Sequence, residues 1–225
     1  MRYFWFGLFF VCSSLVAQPL KSGDLLFVSS SEPGFERAIT EVTQSETERS
    51  MGYFRSFTHV AIVNVTDSGV YIIEATPKHG VIYRSITEFE QENAKKTTYI
   101  GRLKPQYQQW IPDAIAYALS HVGKPYNFAF DFDNDEFYCS ELINVAFAKA
   151  SGKSDFFETP PMTFQCPNRH DFLPYWVDYF AKLNIPIPEG KPGLNPNGMA
   201  RSEKLQPLVK THGRASLQPE KKHNP

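Results

Sequence analysis

The chain has 225 residues, 42% of them apolar and 21% charged, with a formal net charge of −1. That length suits one domain with appendages, and the composition provides enough apolar surface for a packed core, which excludes a globally disordered chain. No basic face of the kind that tracks nucleic acid stands out.

Residues 1–17 have the layout of a secretory signal peptide: Arg2, an almost wholly apolar run over 3–11, then the small residues Ser13, Ser14 and Ala17. The run is too short for a comfortable membrane span. The expectation is export, to the periplasm or the outside, after cleavage near Ala17. Cys12 leaves with this segment, and Phe9, Phe10 and Val11 ahead of it are not the small residues that a lipid-anchor site prefers. Cys139 and Cys166 remain, and in an oxidising compartment two thiols are a candidate disulfide.

Residues 18–185 read as the folded domain. Lys21, Ser22, Gly23 and Asp24 form a turn ahead of a strand at 25–28. Phe35, Ala38, Ile39 and Val42 fall on one helical stripe. The β-branched runs 58–65 and 70–75, separated by Asp67, Ser68 and Gly69, predict a hairpin. Further strands are expected at 81–84 and 98–103. The second half turns helical. Ile111, Ala114, Ile115, Ala118, Leu119 and Val122 share one face, with Pro112 tolerated near the start. Cys139, Leu142, Ile143, Ala146, Phe147 and Ala150 share another, and Gly152 ends that helix. Residues 153–175 are rich in Pro and Phe and either border a cleft or cover the core. Residues 172–183 predict a last amphipathic helix. Residues 186–225 are Pro-, Gly- and Asn-rich and then basic, with six Lys/Arg against two Glu over 200–225, and read as a flexible tail.

Cys139 carries the chemistry. It opens its helix, where the positive end of the helix dipole favours a sulfur anion. It also lies on the buried stripe, where a Cys is commonly a small apolar filler. His59 is the best placed of six His to serve as its base. It sits inside the apolar strand 58–65, where an imidazole needs hydrogen-bond partners or a cleft. His79, His121 and His170 stand at turns, helix ends or polar loops, and His212 and His223 lie in the tail. A third group should orient the imidazole. A two-residue turn at Asp67 and Ser68 would set Glu74 opposite Ala61 and diagonal to His59. A three-residue turn would put Glu74 on the other face. His59 has no second His at ligand spacing on its strand, and there is no glycine-rich phosphate loop, so neither a metal nor a cofactor is expected.

The ordered set Gly23-Asp24-Leu25-Leu26-Phe27, Thr58-His59-Val60-Ala61, Glu74, Gly123-Lys124-Pro125-Tyr126-Asn127 and Tyr138-Cys139-Ser140-Glu141-Leu142 resembles the permuted papain-like enzymes of the YaeF/YiiX type. These are relatives of the NlpC-type cell-wall peptidases and, more distantly, of lecithin–retinol acyltransferase. The resemblance spans residues 22–150. It implies an α+β, circularly permuted papain-like fold: a mostly antiparallel sheet with the nucleophile helix packed against it. It implies Cys139 as nucleophile, His59 as base, Glu74 as the third polar residue and Tyr126 near the oxyanion site. His59 preceding Cys139 is the permuted chain order. Tyr138 and Glu141 depart from the D-C-S-G run of the NlpC-type peptidases, which weakens any transfer of their γ-D-glutamyl substrate.

The expected function is therefore an exported cysteine hydrolase acting through a thioester. Its substrate would be a peptide, including peptidoglycan fragments, or an acyl lipid carrying an amide or ester. An acyltransferase on the same scaffold, a non-catalytic wall- or lipid-binding module and a structural domain with a Cys139–Cys166 disulfide stand as alternatives.

Overall fold

Near-continuous apolar runs form one antiparallel sheet whose strands bury successive side chains on two opposite faces, both of them covered. The computed structural model describes residues 19–30, 32–43, 56–132, 134–166 and 170–211; the expected signal peptide lies outside the described residues. The strands are β1 (Leu25–Ser29), β2 (Phe57–Thr66), β3 (Gly69–Thr76), β4 (Gly80–Ser85), β5 (Thr97–Gly101) and β6 (Val209–Lys210). Their order across the sheet is β4-β3-β2-β1-β5-β6, and each neighbouring pair is antiparallel. The helices are α1 (Phe35–Thr43), α2 (Ile86–Glu92), α3 (Ile111–Ser120), α4 (Cys139–Ser151), α5 (Pro174–Leu183) and α6 (Pro196–Ala200). The architecture is α+β, as expected from the sequence. Among the described residues no helix is long and apolar enough to cross a membrane.

One sheet face carries Leu25, Phe27, Val60, Ile62, Ile73 and Ala75, which pack with Leu142, Ile143, Ala146 and Phe147 of α4. The other carries Leu26, Val28, Ala61, Val63, Val70 and Ile72, which pack with Phe89 of α2. Each such fully buried side chain contributes roughly 1.5–3 kcal/mol. A slip of one residue would exchange the two sets between differently shaped, covered faces and undo the packing on both, which fixes the register.

Two local features aim the site. Thr66 pairs with Gly69 across the β2–β3 hairpin, which leaves Asp67 and Ser68 as a two-residue turn. Between β1 and β2 the register shifts: Val28 pairs with His59, but Ser29 pairs with Phe57. Thr58 is thus the extra residue of a bulge directly before His59. Bulges bend a strand and re-aim the side chains beside them.

The segment read as a flexible tail is corrected over its first part. Residues 186–211 are ordered against the domain, with Leu194, Asn197, Met199 and Leu205 buried. The composition that suggested a linker supplies structural parts instead. Asn195 caps α6 by accepting from Gly198 N at 2.8 Å. Asn197 accepts from Phe57 N at 2.7 Å and donates to Thr43 Oγ1 at 2.6 Å, joining β2 and α1. Residues 212–225 lie outside the described residues.

Candidate active site

Cys139 is the first residue of α4 and is buried. Three contacts hold the helix start. Tyr138 N donates to Glu141 Oε2 at 3.1 Å, the reach-back half of a capping box. Ser140 Oγ donates to Leu194 O at 2.8 Å, and Tyr138 Oη accepts from Leu194 N at 3.2 Å. No disulfide joins Cys139 and Cys166.

His59 lies beside Cys139, which favours its charged form, and its Nε2 lies 2.5 Å from Glu74 Oε2. The two-residue hairpin turn realises the register in which His59 and Glu74 share a face. Burial opposes a charge on the His59 ring, but the hydrogen bonds and charges of Cys139 and Glu74 outweigh it and push its pKa up to about 10. His59 therefore holds its proton at neutral pH, and its side chain keeps 20% exposure. Glu74 is fully enclosed. Burial alone would raise its pKa, yet the His59 hydrogen bond and the His59 and Arg84 charges hold it below the usual carboxylate range. Arg84 Nη2 of β4 lies 2.5 Å from Glu74 Oε1.

Tyr126 reaches the site on a loop held by backbone contacts to β4. Val81 N donates to Lys124 O at 2.8 Å and Gly123 N donates to Val81 O at 2.9 Å. Gly80 at φ +67° makes that approach possible, because a Cβ there would run into Lys124 O. Tyr126 is buried, and burial first, then the Cys139 charge, raise its hydroxyl pKa well above the ordinary tyrosine value. The hydroxyl keeps its proton and is a donor.

The next residue, Asn127, is fully buried. Its Nδ2 donates to Asp131 O at 2.7 Å and to Glu141 Oε2 at 3.0 Å, and its Oδ1 accepts from Ala129 N at 3.1 Å. This knot holds the turn in which Phe130 takes a left-handed φ of 54°. Burial pushes the Glu141 pKa up to about 8 against the Tyr138 and Asn127 hydrogen bonds, with Asp131 and Glu136 raising it further.

Cys139 and Tyr126 line a pocket of about 200 Å³ whose other walls include Phe35, Phe130, Phe164 and Trp176. Among the described residues Arg201 is the one charged residue on that wall, and His59 is not on it. Both readings of residues 153–175 apply at different ends. Phe156 and Phe157 are buried in the core, with their N–H groups donating to Asn144 Oδ1 at 3.2 and 2.7 Å. Pro160, Pro161 and Phe164 border the pocket.

The structure thus brings Cys139, His59 and Glu74 into one row, with His59 and Glu74 hydrogen-bonded and Tyr126 beside Cys139 on the pocket wall. Sequence reasoning missed Arg84, Asn127 and the capping role of Glu141. A signal for Arg84 existed: a buried Glu74 needs a cation, and Arg84 is the basic residue of the neighbouring strand.

A model of the permuted papain-like amidase enzymes (YaeF/YiiX, C92 family) matches residues 19–209. No curated protein sequence matches the chain significantly. Among solved structures, the metalloprotein YiiX from Escherichia coli O157:H7 is similar at a TM-score of 0.63 and 21% identity, over 87% of this chain and 98% of that one.

Proposed function

Because the chain belongs to the YaeF/YiiX-type permuted papain-like amidases, we propose that it is an exported cysteine hydrolase that opens amides or esters of apolar acyl groups through a thioester on Cys139. The observation that carries this reading is the row Cys139, His59, Glu74 at the mouth of a helix N-terminus. The signal-peptide layout of residues 1–17 supports export.

In this reaction His59 already holds the proton ceded by the thiol, and the Cys139 sulfur anion attacks the carbonyl carbon, forming the C–S bond. The oxyanion is met by the Cys139 N–H, one of the unpartnered donors at a helix start, and by the Tyr126 hydroxyl. Collapse breaks the bond to the leaving nitrogen or oxygen, which receives the proton from His59. A water then gives its proton to His59 and attacks the thioester carbonyl; the C–S bond breaks, the acid leaves, and the Cys139 sulfur anion stands again beside protonated His59. Glu74 keeps the imidazole oriented and stabilises its charge.

The pocket supports the choice of acyl group. His59 protonates the leaving group, so that half lies on the partly exposed His59 side. The acyl half then takes the pocket that holds Cys139 but not His59. Its aromatic wall suits an apolar chain or side chain, whereas a charged wall peptide would need ionic partners, of which the described residues of the wall supply Arg201 alone. Among the described residues no group of three or more His, Cys, Asp or Glu could hold a metal ion.

The test is incubation with acyl p-nitrophenyl esters and anilides of increasing chain length, beside a γ-glutamyl dipeptide, with mass analysis of Cys139. An acyl adduct on Cys139, faster for apolar acyl groups, is expected. Cys139→Ser keeps the fold and loses turnover by about 10⁴-fold or more. Equal rates in Cys139→Ser, or no adduct, would sink the enzyme reading and leave a binding module. Products formed with and without an added amine or alcohol separate hydrolysis from acyl transfer.

A further inference from the structure

Glu74 has a second partner that the reaction above does not use. Its side chain is completely enclosed, and its two oxygens face opposite ways along the sheet. Oε2 meets His59 of β2, and Oε1 meets Arg84 of β4. Ile72 pairs with Arg84 and Glu74 pairs with Ile82, so Glu74 and Arg84 are diagonal neighbours on one face. Arg84 is itself fixed from outside. Its guanidinium lies over the Phe89 ring at 5.5 Å, and its Nη1 pairs with Glu92, both residues of α2. The next residue, Ser85, caps α2: Glu88 N donates to Ser85 Oγ at 3.3 Å, and Ser85 N donates to Glu88 Oε2 at 2.9 Å. A row of alternating charge therefore runs His59, Glu74, Arg84, Glu92 from β2 to α2.

We propose that Arg84 is a positioning residue of this site, which keeps Glu74 anionic and turned so that its free oxygen faces His59. The inference deepens the proposed role of His59 as base and rests on it. A carboxylate without access to water takes up a proton unless cations and donors hold its charge. His59 alone is a poor guarantor, because it gives up its own proton during the reaction. At that moment Arg84 is the remaining cation beside Glu74. The permanent guanidinium charge does not titrate in the working range, so Glu74 stays ionised and ready to receive the imidazolium again. The charged groups around Glu74 are His59 on β2, Arg84 on β4 and, through His59, Cys139 on α4. Those around Arg84 are Glu74, Glu88 and Glu92.

The experiment follows the Glu74 carboxyl by ¹³C NMR across pH in protein labelled at glutamate, with the resonance assigned by Glu74→Gln. In Arg84→Met the Glu74 midpoint is expected to rise by roughly one to three pH units, the range for losing an adjacent opposite charge. Arg84→Lys keeps the charge and is expected to recover most of that shift. A midpoint unmoved in Arg84→Met, or moved as far in Arg84→Lys, overturns the proposal. A drop in melting temperature without a moved midpoint does the same, since it marks Arg84 as mere packing. If Arg84→Met does not fold, Arg84→Gln is compared with Arg84→Lys by the same criteria. Alkylation of Cys139 is measured alongside. Slow labelling in the unaltered protein, indifferent to His59→Ala, would sink the catalytic reading, while the Glu74 midpoint still decides the role of Arg84.

Discussion

Replacing Glu141 by Gln tests the buried acid two residues after Cys139. Its pKa lies at about 8 in the folded protein against the ordinary 4.5. The unfolded chain therefore releases this proton first. Between about pH 4.5 and 8 the folded state binds more protons, so the stability conferred by neutral Glu141 falls as pH rises. At 1.36 kcal/mol per unit, the loss is about 1 kcal/mol at pH 5, about 3 at pH 7 and more than 4 at pH 8. Gln keeps an acceptor oxygen for Tyr138 N and Asn127 Nδ2 but never takes a charge. The stability difference between Glu141→Gln and the unaltered chain should widen by about 3–4 kcal/mol from pH 5 to pH 8. Urea titrations at pH 5, 6, 7 and 8 read this directly. With a slope of about 2–3 kcal/mol/M, the midpoints of the two proteins should separate by a further 1–2 M. Curves that stay parallel within about 0.5 kcal/mol would refute a buried, proton-holding Glu141.

Asn197→Ala strips the acceptor from the buried Phe57 N–H and should cost about 1–3 kcal/mol in urea unfolding, though sequence composition places this residue in a linker. Gly80→Ala forces a left-handed alanine against Lys124 O. It should lose at least about 1–2 kcal/mol and, by shifting the loop to Tyr126, lower turnover as well. Tyr126→Phe should reduce kcat by about 10²-fold with an unchanged melting curve, as expected for loss of one oxyanion donor. A change confined to KM would assign that hydroxyl to ground-state binding instead.

The strands that hold the site were legible because they are short, near-continuous apolar and β-branched runs bounded by turn residues. His59 was legible for the opposite reason, as a polar residue out of place in such a run. Glu74 was half legible: its side of the sheet depended on whether the turn took two residues or three, and no local pattern chooses between them as firmly as the pairing of Thr66 with Gly69 does. The bulge at Thr58 was not legible, since it arises from how β1 and β2 mismatch rather than from either strand alone. α2 was missed because it is short and its order comes from the Ser85 cap and Arg84. The segment after residue 185 misled outright. Pro, Gly and Asn are the residues of linkers, yet they are also the residues of caps and cross-links, and only the distant partners Thr43, Phe57 and Ser140 tell which.

Those distant partners set a schedule. The bond between Ser140 and Leu194 spans 54 positions, and that between Phe57 and Asn197 spans 140. Cys139, His59 and Glu74, the proposed nucleophile, base and carboxylate, are all synthesised before Leu194, but the wall that Leu194 and its neighbours complete comes later. A growing chain passes through a stage with Cys139 made and the pocket beside it still unbuilt. On the proposed reading, competence waits for the backbone around Leu194, so copies that stop short of it are left without a place to seat a substrate.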